Sequence, residues 1–216
     1  MSQKISLKEA ERKVFTSTVQ DGLWDILIGC FLLEFTIAPL LSHRLGDFWS
    51  VAIFLPFWGL VYFAILLVRK FIVKPRLGEV TFGKMRRKRL AQFSIIMVVV
   101  NLIAFILGVI VFLNFTKIPR IAPSILFAFI ILVIFCLMAF ILNFNRSYLY
   151  GLLAGFSPLV GEWLFYKYGA SHHGLPITFG ITAVIIILTG VIVFVRFLKN
   201  NPMINIVVNQ NDQPAA

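Results

Sequence analysis

The sequence predicts an all-α integral membrane protein with six transmembrane helices, and three observations carry that reading: its composition, the lengths of its apolar runs and the one-sided placement of its positive charge. Of 216 residues, 60% are hydrophobic and only 13% are charged, about half the charge needed to clothe a soluble domain in water. Six runs are close to the ~20 apolar residues that span a hydrocarbon core of ~30 Å. They are 22–41, 49–68, 91–113, 123–142, 149–166 and 176–197. Short connections predict that they form three antiparallel hairpins.

Positive charge orients them. Four Lys and Arg precede the first run, nine lie between Arg69 and Arg89, one sits in the 143–148 turn and two follow near the end of the sixth run. The opposite side carries only Arg44, Lys117, Arg120 and Lys167. By the positive-inside rule both termini and the loop 69–90 are expected in the cytoplasm. Trp24, Tyr148 and Tyr150 then fall at inner boundaries, and Trp49, Trp163, Tyr166 and Tyr168 at outer ones.

Residues 1–20 read as an amphipathic helix lying on the inner membrane surface. Ser6 and Glu9 have the spacing of a capping box. Leu7, Ala10, Val14 and Val19 recur at roughly helical intervals, with Lys8, Glu11, Arg12 and Lys13 opposite. The first run is read as a retained helix rather than a cleaved signal, because it contains Asp25 and Glu34 and lacks a small-x-small site.

The loop 69–90 includes KPRLGEVTFGKMRRKRL, residues 74–90. Pro75 ends the second helical region, and 77–82 then has strand-like composition. The separation from Arg69 to Pro75 recurs from Arg196 to Pro202, where a second strand-like run follows. LWDILIG (Leu23–Gly29) likewise resembles LYGLLAG (Leu149–Gly155). These matches suggest that the first and third hairpins are repeats of one unit; if so, 77–82 can pair with 204–208 as a small cytoplasmic β-ribbon, and if not, 204–208 is the start of a disordered tail. Residues 199–216 otherwise form a polar cytoplasmic tail. Lys84, Arg86, Arg87, Lys88 and Arg89 directly precede the third run, where the negative inner leaflet attracts each charge by roughly 1 kcal/mol. They are the expected contact for anionic lipid headgroups or an acidic protein partner, which leaves room for a homo-oligomer. No aromatic residues interleave with them, so nucleic acid is not an expected partner.

Ionisable groups at membrane depth mark function by default. The candidate polar site comprises Glu34, Glu162, Asp25, Asn101 and Ser157. Asp25 lies one turn beyond Asp21, and an ion pair with Arg146 or Arg69 is its expected fate. At 1.5 Å per residue, Glu34 is about 18 Å along the first run and Glu162 about 20 Å along the fifth. Their equal depth would let them share a proton or flank a cation if their helices face each other; otherwise each is bonded separately, with Asn101 and Ser157 among the available partners.

His43, Asp47, His172 and His173 collect on the outer side, a composition suited to a transition metal. Adjacent histidines diverge in most backbones, so no metal is assigned. Cys30 and Cys136 lie inside runs, away from ligand-spaced Cys or His. No GxSxG, HExxH, P-loop or CxxC pattern occurs, and neither a cofactor nor a catalytic residue is expected.

GLWD at the first helix, with PRLGEVTF and a basic run after the second, resembles uncharacterised prokaryotic multi-spanning membrane proteins that carry a Pro-Arg-x-Gly-x-Val-x-Phe segment. That resemblance implies a multi-pass protein of a prokaryotic cytoplasmic membrane and brings no activity. Size and layout are also similar to the substrate-binding subunits of energy-coupling vitamin transporters, although the first helix lacks their Ala-x-x-x-Ala docking face. The functional expectation is a transport-associated or small-ligand- or ion-binding membrane subunit. The alternative is a structural protein that binds lipid or a partner through its basic loop.

Overall fold

The computed structural model describes residues 21–77, 84–114, 119 and 121–202. Among these residues every regular element is helical. Leu23–Leu45 forms α1, Asp47–Ala52 α2 and Phe54–Val68 α3, which continues through a π-helical stretch at Arg69–Val73 into the short α4, Lys74–Leu77. Then follow α5 (Lys84–Leu113), α6 (Ala122–Leu142), α7 (Arg146–Tyr168) and α8 (Leu175–Asn200). Five segments are long and apolar enough to cross a membrane: α1, the run from α2 to Val73, Ser94–Val111 within α5, α6, and the segment containing α8. The remaining long helix, α7, is as long as α1 at 23 residues but more polar.

Local chemistry sets the ends. The Asp21 Oδ1 accepts the Leu23 N–H at 2.9 Å, and Gly22 takes a left-handed turn at φ 91°, so together they start α1. Asn143 ends α6 at φ 51°, with its N–H bonded to the Ala139 carbonyl. Pro123 and Pro176 occupy first turns of α6 and α8, where a missing N–H costs nothing.

The expected amphipathic helix at 1–20 lies outside the described residues. So do most of the proposed β-ribbon, 78–82, and its whole partner, 204–208. Leu77, expected to open that ribbon, instead ends α4. The two chain regions do meet: Arg76 donates to the carbonyls of Leu198 at 2.7 Å and Asn201 at 3.0 Å. A guanidinium thereby satisfies carbonyls that the end of α8 leaves without helical partners.

Of the three expected chain-neighbour hairpins, α7 packs against α8 as expected, whereas α5 makes little contact with α6. The most extensive interfaces join α1 to α8 and α6 to α7, followed by α7 to α8; α1 barely touches α3. Contacts fix antiparallel directions: Gly22 lies against Gly190 and Phe194, Gly29 against Ala183 and Ile187, and Thr36 against Gly180. On the other side of α8, Ser157 pairs with Thr182, and Gly161 lies against His173 and Gly174. Small residues make these approaches possible, as is usual between helices in lipid. A Cβ at Gly190 would lie 2.9 Å from the Asp25 Cβ and from the Ile26 nitrogen. The core that results joins Leu32, Ile131, Phe135, Tyr150, Phe179, Ala183 and Ile186, while the spanning windows of α3 and α5 face outward almost entirely.

Candidate functional site

Two polar clusters close opposite ends of the α1–α7–α8 assembly. At the first, Asp25 and Arg146 approach to 2.9 Å, with the carboxylate fully buried and the guanidinium side chain 27% exposed. The Tyr150 hydroxyl faces the same carboxylate. Of the two arginines expected for Asp25, Arg146 is thus the one in contact, while Arg69 lies over the Trp24 ring at 5.7 Å. Asp21 is also buried. Loss of hydration raises its pKa to about 6, against the lowering effects of the Leu23 N–H, Arg69 and Arg146.

The second cluster is built by α7 and the turn that follows it. Glu162 is 4% exposed, and its Oε2 lies 3.0 Å from the Nδ1 of His173. His173 reaches back because the turn is left-handed over three residues: His172 at φ 50°, His173 at φ 53° and Gly174 at φ 65°. For residues with a Cβ this conformation costs roughly 1–2 kcal/mol each. Gly161 and Gly174 permit the close approach, since a Cβ on Gly161 would lie 2.7 Å from the His173 carbonyl. The His173 ring also packs 4.5 Å from that of Phe165.

Beside Glu162 is a half-open cavity of about 580 Å³ lined by Pro123, Ser124, Phe127, Pro158, Phe165, Tyr166, His173 and Leu175 as well. Its size suits a small ligand. The wall is mostly apolar, and Glu162 is its one carboxylate among the described residues.

The remaining candidates have other positions. Glu34 accepts a bond from Trp58 Nε1 at 3.2 Å and is half-buried between α1 and α3. Asn101 is exposed on α5 and donates to its own helix at Met97 O. Ser157 bonds Leu153 O and Thr182 Oγ1 rather than Glu162. Lys84, Arg86, Arg87, Lys88 and Arg89 fall in the first turns of α5. Among the described residues no three His, Cys, Asp or Glu side chains gather as a metal site.

Equal depth for the two glutamates is corrected by the helix register. Asp25 and Arg146 are level because they touch; Glu34 is then about 14 Å beyond the first and Glu162 about 24 Å beyond the second. A second route, from Thr36 through Gly180 and Thr182 to Ser157, puts Glu162 about 8 Å further along than Glu34. The sequence count erred because it began the fifth helix where apolar residues begin, at Leu149. The helix begins in the polar turn at Arg146.

Trp58 and His173 are the partners that sequence reasoning missed. A tryptophan in an apolar run is usually packing, and a loop histidine is usually solvated. The available signal was a glycine beside each member of the second pair: Gly161–Glu162 and His173–Gly174. No protein-family model, curated protein or solved structure matches this chain.

Proposed function

We propose that this chain is a membrane-embedded small-ligand-binding subunit, of the transport-associated kind, whose binding centre is the cavity at Glu162. One observation carries the reading: a nearly buried carboxylate borders a cavity of ligand size whose wall is otherwise mostly apolar. An ionisable group in such a setting costs stability and is usually kept for function. Glu34, held by Trp58 at a different depth, is assigned to packing between α1 and α3 rather than to this centre.

A neutral aromatic probe tests the cavity apart from its charge. Binding of 2-phenylethanol to the protein in lipid nanodiscs, followed by saturation-transfer NMR, is expected to saturate in the wild type and to vanish in Leu175→Trp, which fills the space. Equal signals from both proteins and from empty nanodiscs would mean that the probe only partitions into lipid, and the reading would fail.

A second reading, binding of anionic headgroups by the start of α5, has its own support. Five of the first six residues of that helix are basic, at the end where the helix dipole disfavours cations. Negative counter-charge outside the chain offsets that cost, and a lipid leaflet supplies it.

A further inference from the structure

We infer that the cavity at Glu162 selects small amines, bound as ammonium ions, and that His173 is a latch which the amine displaces from the carboxylate. The inference rests on the cavity reading above and names the ligand class.

Three features point to a cation with an apolar body. First, the Glu162 carboxylate has acceptor capacity for several donors, and among the described residues its one partner is His173. An ammonium group brings three donors and a full charge to the same oxygens. Second, Phe127, Phe165 and Tyr166 border the cavity; aromatic faces attract a cation and accept a hydrocarbon or aromatic body equally well. Third, the competing group is held loosely. The His173 side chain is 60% exposed, so its release to water gives up this one contact and the packing of its ring on Phe165 without uncovering a buried group.

The opposing influence is the start of two helices. Ser124 in the first turn of α6 and Leu175 at the start of α8 also border the cavity, and helix N-termini favour anions. Each is equivalent to about half a charge at most. That influence fades within the first turn and is spread over backbone N–H groups that suit a hydroxyl or a water, whereas the nearly buried Glu162 carboxyl presents its acceptor oxygens at the cavity wall, where an ammonium can donate to them directly.

Three ligands of one shape separate the alternatives: 2-phenylethylamine, 2-phenylethanol and phenylacetate, titrated into the full chain in zwitterionic nanodiscs with ¹⁵N-labelled histidine. The amine is expected to bind at least tenfold tighter than the alcohol and to shift the His173 resonance as it saturates. In Glu162→Gln, which keeps an acceptor for His173, amine affinity should fall to that of the alcohol; Glu34→Gln should leave it unchanged. His173→Ala should tighten amine binding by removing the competitor.

If the alcohol binds as well as the amine, if phenylacetate binds best, or if Glu162→Gln keeps the amine preference, then amine selection is wrong while the cavity reading stands. Weaker amine binding in His173→Ala would overturn the latch. Absence of saturable binding by all three ligands would remove the cavity reading as well.

Discussion

The Asp25–Arg146 contact should have an asymmetric energetic signature. The carboxylate is fully buried, whereas about a quarter of the guanidinium side chain is exposed. Removing the arginine strands a charge that cannot reach water; removing the acid leaves a cation that can turn toward it. Breaking a buried pair from the stranded side costs about 3–5 kcal/mol, so Arg146→Met should cost about 3 kcal/mol, or roughly two orders of magnitude in the unfolding equilibrium. Asp25→Asn preserves the shape that Gly190 packs against and should cost only about 1 kcal/mol. The double variant should be close to Asp25→Asn alone, giving a coupling energy of about 2–3 kcal/mol between positions 25 and 146. Steric-trapping measurements of unfolding in bicelles supply all four corners of this cycle. Equal losses in the two single variants, adding in the double, would refute the stranded-charge argument and leave the contact as packing alone.

Two further outcomes follow from other charged groups. The Asp21 pKa is raised by burial from 3.8 to about 6, so the folded state holds its proton more tightly than the unfolded state. Stability should therefore fall as pH rises from about 4 to 6 and level off above, by up to roughly 3 kcal/mol in total. Asp21→Asn, which keeps an acceptor for the Leu23 N–H, should flatten that slope and be the more stable protein at pH 7; an unchanged slope would assign the pH dependence elsewhere. Neutralising Arg86, Arg87 and Arg89 together should lower co-purified anionic lipid several-fold by native mass spectrometry, with the thermal melting midpoint kept within about 2 °C. Full lipid retention would count against the headgroup reading.

The helical class and most of the spans were legible because hydropathy reports directly on burial in lipid, and α6 matches its predicted run to within a residue. Asp25 and Arg146 were legible as possible partners because each sits at the same end of its helix. Which helices pack together was not. That is decided by glycines on α1, α7 and α8, and a glycine shows its value only when the neighbour it admits is known. Register was lost for a related reason: helix α7 starts in Arg146–Ser147–Tyr148, a turn with no apolar signal. The pairing of Glu162 with His173 depends on two consecutive histidines adopting left-handed backbone, a conformation that sequence patterns assign to glycine or asparagine. The Trp58 bond to Glu34 was hidden in the same way, since an indole N–H inside an apolar run gives no sequence sign of its direction.

The most polar of the long helices is also the one that organises both ends, and its two faces explain how it is tolerated. Along α7, Leu152, Phe156, Val160 and Trp163 are exposed, spaced by four, four and three residues as one outward face of a helix requires. The opposite face carries Gly151, Ala154, Gly155, Ser157, Pro158, Gly161 and Glu162, all buried. Small residues there bring α6 and α8 close enough to shield the polar ones: Ser147 bonds Phe135 O and Ser157 bonds Thr182. At one end Arg146 reaches the buried carboxylate of Asp25 at 2.9 Å. At the other, Glu162 has only a half-exposed imidazole and an apolar cavity beside it. The first arrangement sets a cation against its carboxylate within the protein; the second leaves an acceptor at the rim of an open space. That difference, between a carboxylate that already faces a guanidinium and one beside room for another donor, is the physical reason to place binding at Glu162 and structure at Asp25.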